Sequence, residues 1–176
     1  MAARRSDRAG KQVVQPSASA ETLRVGDERH GFELSIDKPS RVLRMRLWGL
    51  WDVAMGGQFR EGVMRFANGL RREARGEPWA ILADSRTFMA QSPEVTELRK
   101  RAMVQVASLG CTRIAAVVDA GVYSMQFKRI ASESRVTSSV FKDVSSALEW
   151  LRGQQIGLPI GGTAERLSDP RQDKRR

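Results

Sequence analysis

The sequence is poor in the side chains that catalysis and metal binding most often need. Among 176 residues there is one cysteine, Cys111, and one histidine, His30. A single cysteine excludes a disulfide within the chain, and the two residues together are too few for a structural zinc site. Ser-His-Asp or Cys-His catalysis would have to use His30, which we expect on the surface beside Gly31. The composition therefore argues against an enzyme, and we predict no metal and no cofactor.

Long apolar runs are also missing from the chain. No stretch approaches the roughly 18 consecutive apolar residues that a membrane-spanning helix needs. The N-terminal sequence MAARRSDRAGKQVVQPSASAET contains basic residues but lacks the apolar core of a secretory signal. We therefore expect a cytoplasmic protein without a transmembrane segment.

The chain does have a large excess of positive charge. Its formal net charge is +10 at pH 7, which points to nucleic acid, an anionic membrane surface or an acidic protein as partner. The charge is spread out, and no aromatic residues are interleaved with it as nucleic-acid binding would require. Nucleic acid is thus the least favoured of the binding partners. The basic residues that we expect on solvated helix faces are Arg60, Arg65, Arg71, Arg72, Arg75, Arg99, Lys100 and Arg101.

Two polar tails flank one patterned segment. Residues 1–29 are small, polar and charged, and they predict a disordered basic leader. Residues 154–176 contain glycines, prolines and charges without periodicity, and they predict a flexible C-terminal tail. Residues 30–153 alternate between strand and helix patterns and are long enough to bury the core of a single domain.

The patterned segment predicts elements in the order ββαβαβαβα. Its second strand, RVLRMRLWG, alternates apolar residues with arginines, which is typical of a strand with one exposed face. The apolar runs in PWAILAD and TRIAAVVDAG predict central strands covered on both faces. Such alternation indicates an α/β fold with a mainly parallel sheet, a leading antiparallel hairpin and about four helices packed on it. The predicted elements span residues 31–37, 41–49, 52–75, 78–84, 95–109, 112–121, 122–132, 136–142 and 143–153.

Three segments resemble the STAS domain, and in particular its SpoIIAA-like branch, which is also described as STAS/SEC14-like. They are RVLRMRLWGLWD, PWAILADSRTFMAQSPEV, and RIAAVVDAG followed by VTSSVFKDVSSALEWL. The resemblance spans about residues 31–152 and implies the fold of anti-sigma-factor antagonists. It also implies a non-enzymatic regulatory role through binding of another protein, either a serine kinase or an anti-sigma-type factor. A homodimer is left open.

The same resemblance implies a phosphorylation site at the start of the second helix. In antagonist-type STAS domains a partner kinase phosphorylates a serine in a Phe-Met-Asp-Ser-Ser-Gly-Leu motif, and FMAQSPEV occupies that place here. Ser92 falls on the modified position, and Ser85 is the second candidate. Ala90, Gln91 and Pro93 stand where the motif has aspartate, the first serine and glycine.

Ser92 also has a purely structural interpretation. Ser-Pro-Glu is a common helix start, with Ser92 as N-cap, Pro93 at the first helical position and Glu94 in the first turn. The same helix N-terminus would also favour a phosphate, through its free N–H groups and its dipole. The sequence favours the cap and leaves the switch open.

We expect the partner to bind at the carboxyl ends of the strands, where ligands of α/β sheets collect. The proposed surface is the loop and helix start over Ser85–Glu94, supported by the turns at Gly49–Asp52 and Asp119–Tyr123. One of Trp48 and Trp51 is expected to be exposed there. The candidate contact residues are Asp84, Ser85, Arg86, Thr87, Phe88, Met89, Ser92, Glu94, Trp51, Asp119 and Tyr123.

Two other functions remain as alternatives. The SEC14-like side of the resemblance implies binding of a lipid or small apolar ligand, although a domain of this size has little room for a pocket of ~300–1,000 Å³ beside its core. Non-specific nucleic-acid binding through the basic helix faces is third, and it would weaken steeply as salt rises.

Overall fold

The computed structural model describes residues 21–119, 121–134 and 136–153. Within these residues six strands form one sheet in the order β1-β2-β3-β4-β5-β6. The pairs β1–β2 and β2–β3 are antiparallel, and the pairs from β3 to β6 are parallel. The elements are β1 (Thr22–Gly26), β2 (Gly31–Asp37), β3 (Val42–Gly49), α1 (Val53–Ala74), β4 (Trp79–Phe88), α2 (Pro93–Ser108), β5 (Cys111–Val117), α3 (Val122–Ser132), β6 (Thr137–Phe141) and α4 (Val144–Gly153). The predicted α/β class, the antiparallel start and the four helices are confirmed.

Strand β1 is an addition to the expected order, and it lies in residues that the sequence assigned to a disordered leader. It pairs with β2 over its whole length, from Thr22 opposite Ser35 to Gly26 opposite Gly31. Only two of its side chains, Leu23 and Val25, pack against the core. Two apolar positions are too few to show a strand period in the sequence. The rest of the predicted leader and the whole predicted C-terminal tail lie outside the described residues.

Aspartate side chains cap the starts of α1 and α4. The carboxylate of Asp52 accepts a hydrogen bond from the Met55 N–H at 2.7 Å at the start of α1. The carboxylate of Asp143 likewise accepts from the Ser146 N–H at 2.8 Å beside α4. These caps satisfy N–H groups that the helix itself leaves unpaired. No helix within the described residues is long and apolar enough to cross a membrane.

The helices cover the two faces of the sheet unequally. One face lies under α1, α2 and α3 and carries the main core, centred on large side chains such as Phe32, Phe66 and Trp79. The other face lies under α4 alone, where Ala147 and Leu151 pack on small strand residues. The carboxyl ends of β3, β4 and β5 meet at one edge because the three strands are parallel. We call this the C-terminal edge of the sheet.

Candidate partner-binding surface at the C-terminal edge of the sheet

The loops after β3 and β4 are joined directly at the C-terminal edge. The Met89 N–H donates to the Gly49 carbonyl at 3.2 Å, so the pairing of the two strands continues into their loops. Strand β4 extends to Phe88, four residues beyond its predicted end at Asp84. The expected loop over Ser85–Glu94 is therefore strand in its first half and loop only from Met89 to Ser92.

Gln91 is the residue that holds this edge together. It is 6% exposed, and its side-chain amide donates to the carbonyls of Gly49 at 3.1 Å and Met89 at 2.7 Å. Its side-chain oxygen accepts from the Trp51 N–H at 2.9 Å. Its backbone N–H and carbonyl pair with the side chain of Gln126 on α3, both at 3.1 Å. One glutamine thus links the β3–α1 loop, the β4–α2 loop and α3. The only sequence signal for this role of Gln91 was its position inside the segment FMAQSPEV.

An aromatic cluster lies beneath these loops. The rings of Trp51 and Phe88 are 4.6 Å apart, and those of Phe88 and Tyr123 are 5.1 Å apart. The Trp51 indole N–H lies between two carbonyls, 3.2 Å from that of Gly31 and 3.1 Å from that of Trp48. Because all three aromatic residues are buried, the expectation that they contact a partner directly is wrong. The expectation of an exposed tryptophan is also wrong, since Trp48 is buried as well. The rings of Trp51, Phe88 and Tyr123 therefore support the surface from below.

Ser85 is enclosed within the extended β4 strand. It is 1% exposed, and its hydroxyl has no hydrogen-bond partner among the described residues. A kinase cannot reach this hydroxyl in the folded domain, so the structure speaks against Ser85 as a modification site. The sequence missed this burial because β4 was predicted to end at Asp84.

Ser92 is the N-cap of α2, as predicted. Its hydroxyl oxygen accepts from the Val95 N–H at 3.3 Å, and Pro93 is the first helical residue. Glu94 follows in the first turn. The backbone N–H of Glu94 and the hydroxyl of Ser92 hold the pKa of the Glu94 carboxyl below its ordinary value of 4.5. Ser92 is half-buried and remains in contact with solvent at the C-terminal edge.

Exposed apolar side chains gather at the same edge. Leu50 and Val53 are each 55% exposed, Met89 is 56% exposed and Met125 is 72% exposed. They lie in the loop after β3, at the start of α1, in the loop after β4 and in the first turn of α3. Of the large apolar side chains exposed in the described part of the chain, only Val104 lies elsewhere, on α2. Of these four residues, only Met89 was among the predicted contact residues. Val53 and Met125 fall outside the apolar stripes of their helices, and Leu50 lies in a loop; these positions were the available signal.

A separate polar groove lies on the face that α4 partly covers. Arg86 donates to Asp84 through Nε at 3.0 Å and Nη2 at 2.7 Å, and this pairing holds the pKa of Asp84 below its ordinary value of 3.8. Asp119 and Thr87 line the same groove of about 650 Å³. The structure therefore brings Asp84, Arg86, Thr87 and Asp119 together in one groove. Thr87 also lines a neighbouring groove with Met89. Within the described residues no cluster of His, Cys, Asp and Glu is placed to hold a metal ion.

The expected basic surface on α2 is interrupted. Arg99 is buried, so its assignment to a solvated helix face is wrong. Arg101 pairs with Glu97 at 3.1 Å, and Lys100 pairs with Glu133 on α3. The charges that remain on this helix are thus largely neutralised by neighbouring carboxylates.

Comparison with known proteins shows which solved structures share this fold. No family model matches the chain, and no curated protein matches it. Among solved structures, it is similar to an uncharacterized protein of the DUF3478 family with a SpoIIAA-like fold from Shewanella loihica PV-4. The TM-score is 0.56 at 13% identity, covering 72% of this chain and 98% of that one. An anti-sigma factor antagonist from Mycobacterium paratuberculosis aligns with a TM-score of 0.44 at 11% identity, covering 76% and 95%. The chain has a SpoIIAA-like α/β fold, as its resemblance to the STAS domain implied.

Proposed function

We propose that this domain is a non-enzymatic regulatory module that binds a partner protein at the C-terminal edge of its sheet. The observation that carries the proposal is the gathering of Leu50, Val53, Met89 and Met125, each more than half exposed. Exposed apolar side chains grouped on one surface are typical of protein interfaces, where aromatic and Met residues are enriched. We call these four residues the apolar patch. The STAS resemblance supplies the partner class, an anti-sigma-type factor or a serine kinase.

The rigidity beneath the apolar patch supports this role. Gln91 ties two of the loops and α3 to one another, and the ring of Trp51 packs directly below. A surface that is already ordered loses little conformational entropy when a partner binds. The apolar patch is therefore presented in one arrangement.

Phosphorylation of Ser92 is the finer part of the proposal. The hydroxyl lies three residues from Met89, and a phosphate there would bring about −1.5 to −2 charges next to an apolar surface. It would also stand beside the carboxylate of Glu94, whose ionised form the helix start already favours. We expect the added charge to weaken binding of a partner that relies on apolar contact.

The two alternative functions receive less support. The apolar cavity between the sheet and α1–α3 measures about 50 Å³, far below the ~300–1,000 Å³ of pockets that hold drug-sized or larger ligands. This volume argues against a lipid. Binding of nucleic acid would need a broad unpaired basic surface, whereas Arg65, Lys100 and Arg101 each pair with a carboxylate. The exposed arginines left from the expected surface are Arg71, Arg72 and Arg75 at the end of α1, a smaller group than the sequence suggested.

The decisive experiment compares two charge substitutions at matched exposed apolar sites. Met89→Asp lies in the apolar patch, and Val104→Asp lies on α2 away from it. A partner captured from the cells of origin and then purified is titrated against wild type and both variants. We expect Met89→Asp to weaken binding by more than about tenfold and Val104→Asp to leave it within about twofold. Unchanged binding in Met89→Asp, or an equal loss in both variants, would contradict the proposal.

The phosphorylation proposal is tested separately. The protein is isolated from its own cells, its intact mass is measured and the peptides covering residues 78–99 are mapped. A phosphate on Ser92 supports the switch. A chain that stays unmodified at Ser92 under all growth conditions sampled argues against the switch but does not affect the apolar patch.

A further inference from the structure

Arg99 is the charged residue that the described part of the chain buries in its main core. It lies on α2 and is 8% exposed. Its Nη2 donates to the Tyr123 hydroxyl at 2.7 Å, and its guanidinium carbon lies 4.9 Å from the ring centre of Phe88 and 5.2 Å from that of Tyr123. Neither of these neighbours carries a negative charge.

The remaining polar atoms of Arg99 are not accounted for by these contacts. Its Nε and Nη1 are buried and have no hydrogen-bond partner among the described residues. Contacts with ring faces partly offset the positive charge, but they provide no acceptor for N–H groups in the guanidinium plane. A guanidinium is always charged in proteins, and a buried charge without a counter-charge is strongly disfavoured. The arrangement therefore calls for an anion with oxygen acceptors.

Arg99 and Tyr123 are the polar residues lining a small cavity between the sheet and the three helices. The cavity measures about 50 Å³. Its other walls are apolar side chains from six elements, among them Met45, Phe59, Ile81, Met103, Ile114 and Phe127. An apolar cavity of roughly 150 Å³ holds one benzene molecule, while a single water needs only about 10–15 Å³. The space at Arg99 therefore suits a group of a few carbon atoms.

We propose that Arg99 and this cavity form a binding site for a short-chain monocarboxylate of about two to four carbons. The carboxylate lies against the guanidinium and accepts from its unpaired N–H groups, and the alkyl chain lies among the apolar walls. Charge-assisted hydrogen bonds to a guanidinium supply the affinity, and the volume sets the chain length. The site lies beneath the C-terminal edge but is independent of the apolar patch.

The apolar walls and small volume of the cavity favour a short-chain carboxylate over other anions. Inorganic phosphate and chloride carry no apolar part, so they would leave the walls of the cavity uncovered. A long-chain acid has an alkyl chain larger than the cavity. Acetate and butyrate match the single cationic group, and only their alkyl chains of one and three carbons need space among the apolar walls.

The test is titration of the full chain with acetate, butyrate, octanoate and inorganic phosphate. Binding is followed by calorimetry and by the NMR signal of the Arg99 Nε–H. We expect saturable binding of acetate and butyrate, with a shift of that signal, and weaker binding of octanoate and phosphate. Absence of binding by both short acids would overturn the proposal. Tighter binding of octanoate than of butyrate, or equal binding of phosphate, would overturn the assignment to short-chain carboxylates.

Three variants assign the binding to the site. Arg99→Met removes the charge while keeping an unbranched side chain that reaches about to the position of Nε, and we expect it to weaken butyrate binding by at least about tenfold. Arg101→Met, an exposed position on the same helix, is the matched control and should bind as wild type. Binding that survives in Arg99→Met, or is lost in Arg101→Met, would overturn the proposal.

The third variant, Ala102→Val, adds two methyl groups to a side chain that lines the cavity. We expect it to reduce butyrate binding more than acetate binding, since the longer chain needs more of the space. Thermal unfolding of each variant without ligand shows whether it remains folded. Equal effects on both acids in a folded Ala102→Val protein would overturn the placement of the alkyl chain in the cavity.

Discussion

The two faces of the sheet differ in coverage, and their side chains differ accordingly. Under α1, α2 and α3 the strands carry large apolar residues such as Phe32, Leu34 and Leu43. Under α4 they carry smaller ones, including Ala80 and Ala115. Side-chain size therefore follows the depth of the layer packed against each face, since interiors are filled to a uniform density.

The difference extends to charge. Beyond α4 the second face carries a row of opposite charges in register, with Arg24 opposite Glu33, Glu33 opposite Arg46, and Arg46 beside Asp84. Such pairs stay close to water and contribute little to stability. The face under α1, α2 and α3, which we call the three-helix face, instead encloses one arginine, Arg99, whose guanidinium is only partly paired. A charge on the face that α4 alone covers, which we call the open face, is ordinary because water reaches it. A charge in the core of the three-helix face calls for a specific explanation.

The largest predicted effect is on the free energy of unfolding when one buried leucine on each face is replaced by alanine. Leu70 on α1 and Leu151 on α4 are both fully buried. We expect Leu70→Ala to lower the free energy of unfolding by about 3–5 kcal/mol and Leu151→Ala by about 2–3 kcal/mol, because the thinner layer relaxes more easily around a cavity. Urea denaturation of both variants measures the difference. Equal losses would show that the two layers are packed alike.

The next largest effect is the loss of stability when the hydrogen bonds of Gln91 at the C-terminal edge of the three-helix face are removed. Gln91→Ala removes three side-chain hydrogen bonds, one to a buried backbone N–H and two to part-buried carbonyls, and we expect it to cost about 2–4 kcal/mol. Gln126→Ala, which removes the two bonds to the backbone of Gln91, is the matched control, with an expected cost of about 1 kcal/mol. Both are measured by urea denaturation monitored by tryptophan fluorescence. A smaller cost for Gln91→Ala than for its control would contradict the central role of Gln91.

On the open face the expected effects are small and depend on pH. Arg86 lowers the pKa of Asp84 in the folded state, so the pair stabilises the fold above the ordinary pKa of 3.8 and loses this contribution as pH falls through the lower folded value. We expect Asp84→Asn to cost about 0.5 kcal/mol at pH 7. The cost should shrink between about pH 5 and pH 2. A double-mutant cycle with Arg86→Gln measures the coupling, and a cost that grows in acid would contradict this assignment.

The smallest effect concerns the chemistry of a thiol on the three-helix face. Burial raises the pKa of Cys111 to about 12, and the thiolate is the reactive form. We therefore expect no measurable labelling by a thiol reagent at about pH 8 during the time in which the urea-unfolded chain is labelled completely. Rapid labelling of the folded protein would show that this face opens readily.

Much of the fold and the general location of the candidate site could be predicted from local pattern, but which side chains that site exposes could not. The Ser92 cap and the alternation in β3 each depend on residues close in the chain, so the sequence displays them directly. The burial of Trp51 and the position of Gln91 depend on partners about 40 residues away. Such contacts leave no period in the sequence.

The sequence by itself determined the α/β class, the order of strands and helices from residue 31 onward and the Ser92 cap of α2, because hydrophobic period and capping are local properties. Only the tertiary structure decided that residues 22–26 pair as an edge strand, that β4 runs on to Phe88 and that Arg99 is turned into the core. Each of these depends on which strand or helix lies alongside. Side chains with the same local pattern are exposed or buried according to their neighbours, and the neighbours are set only when the sheet closes against its helices.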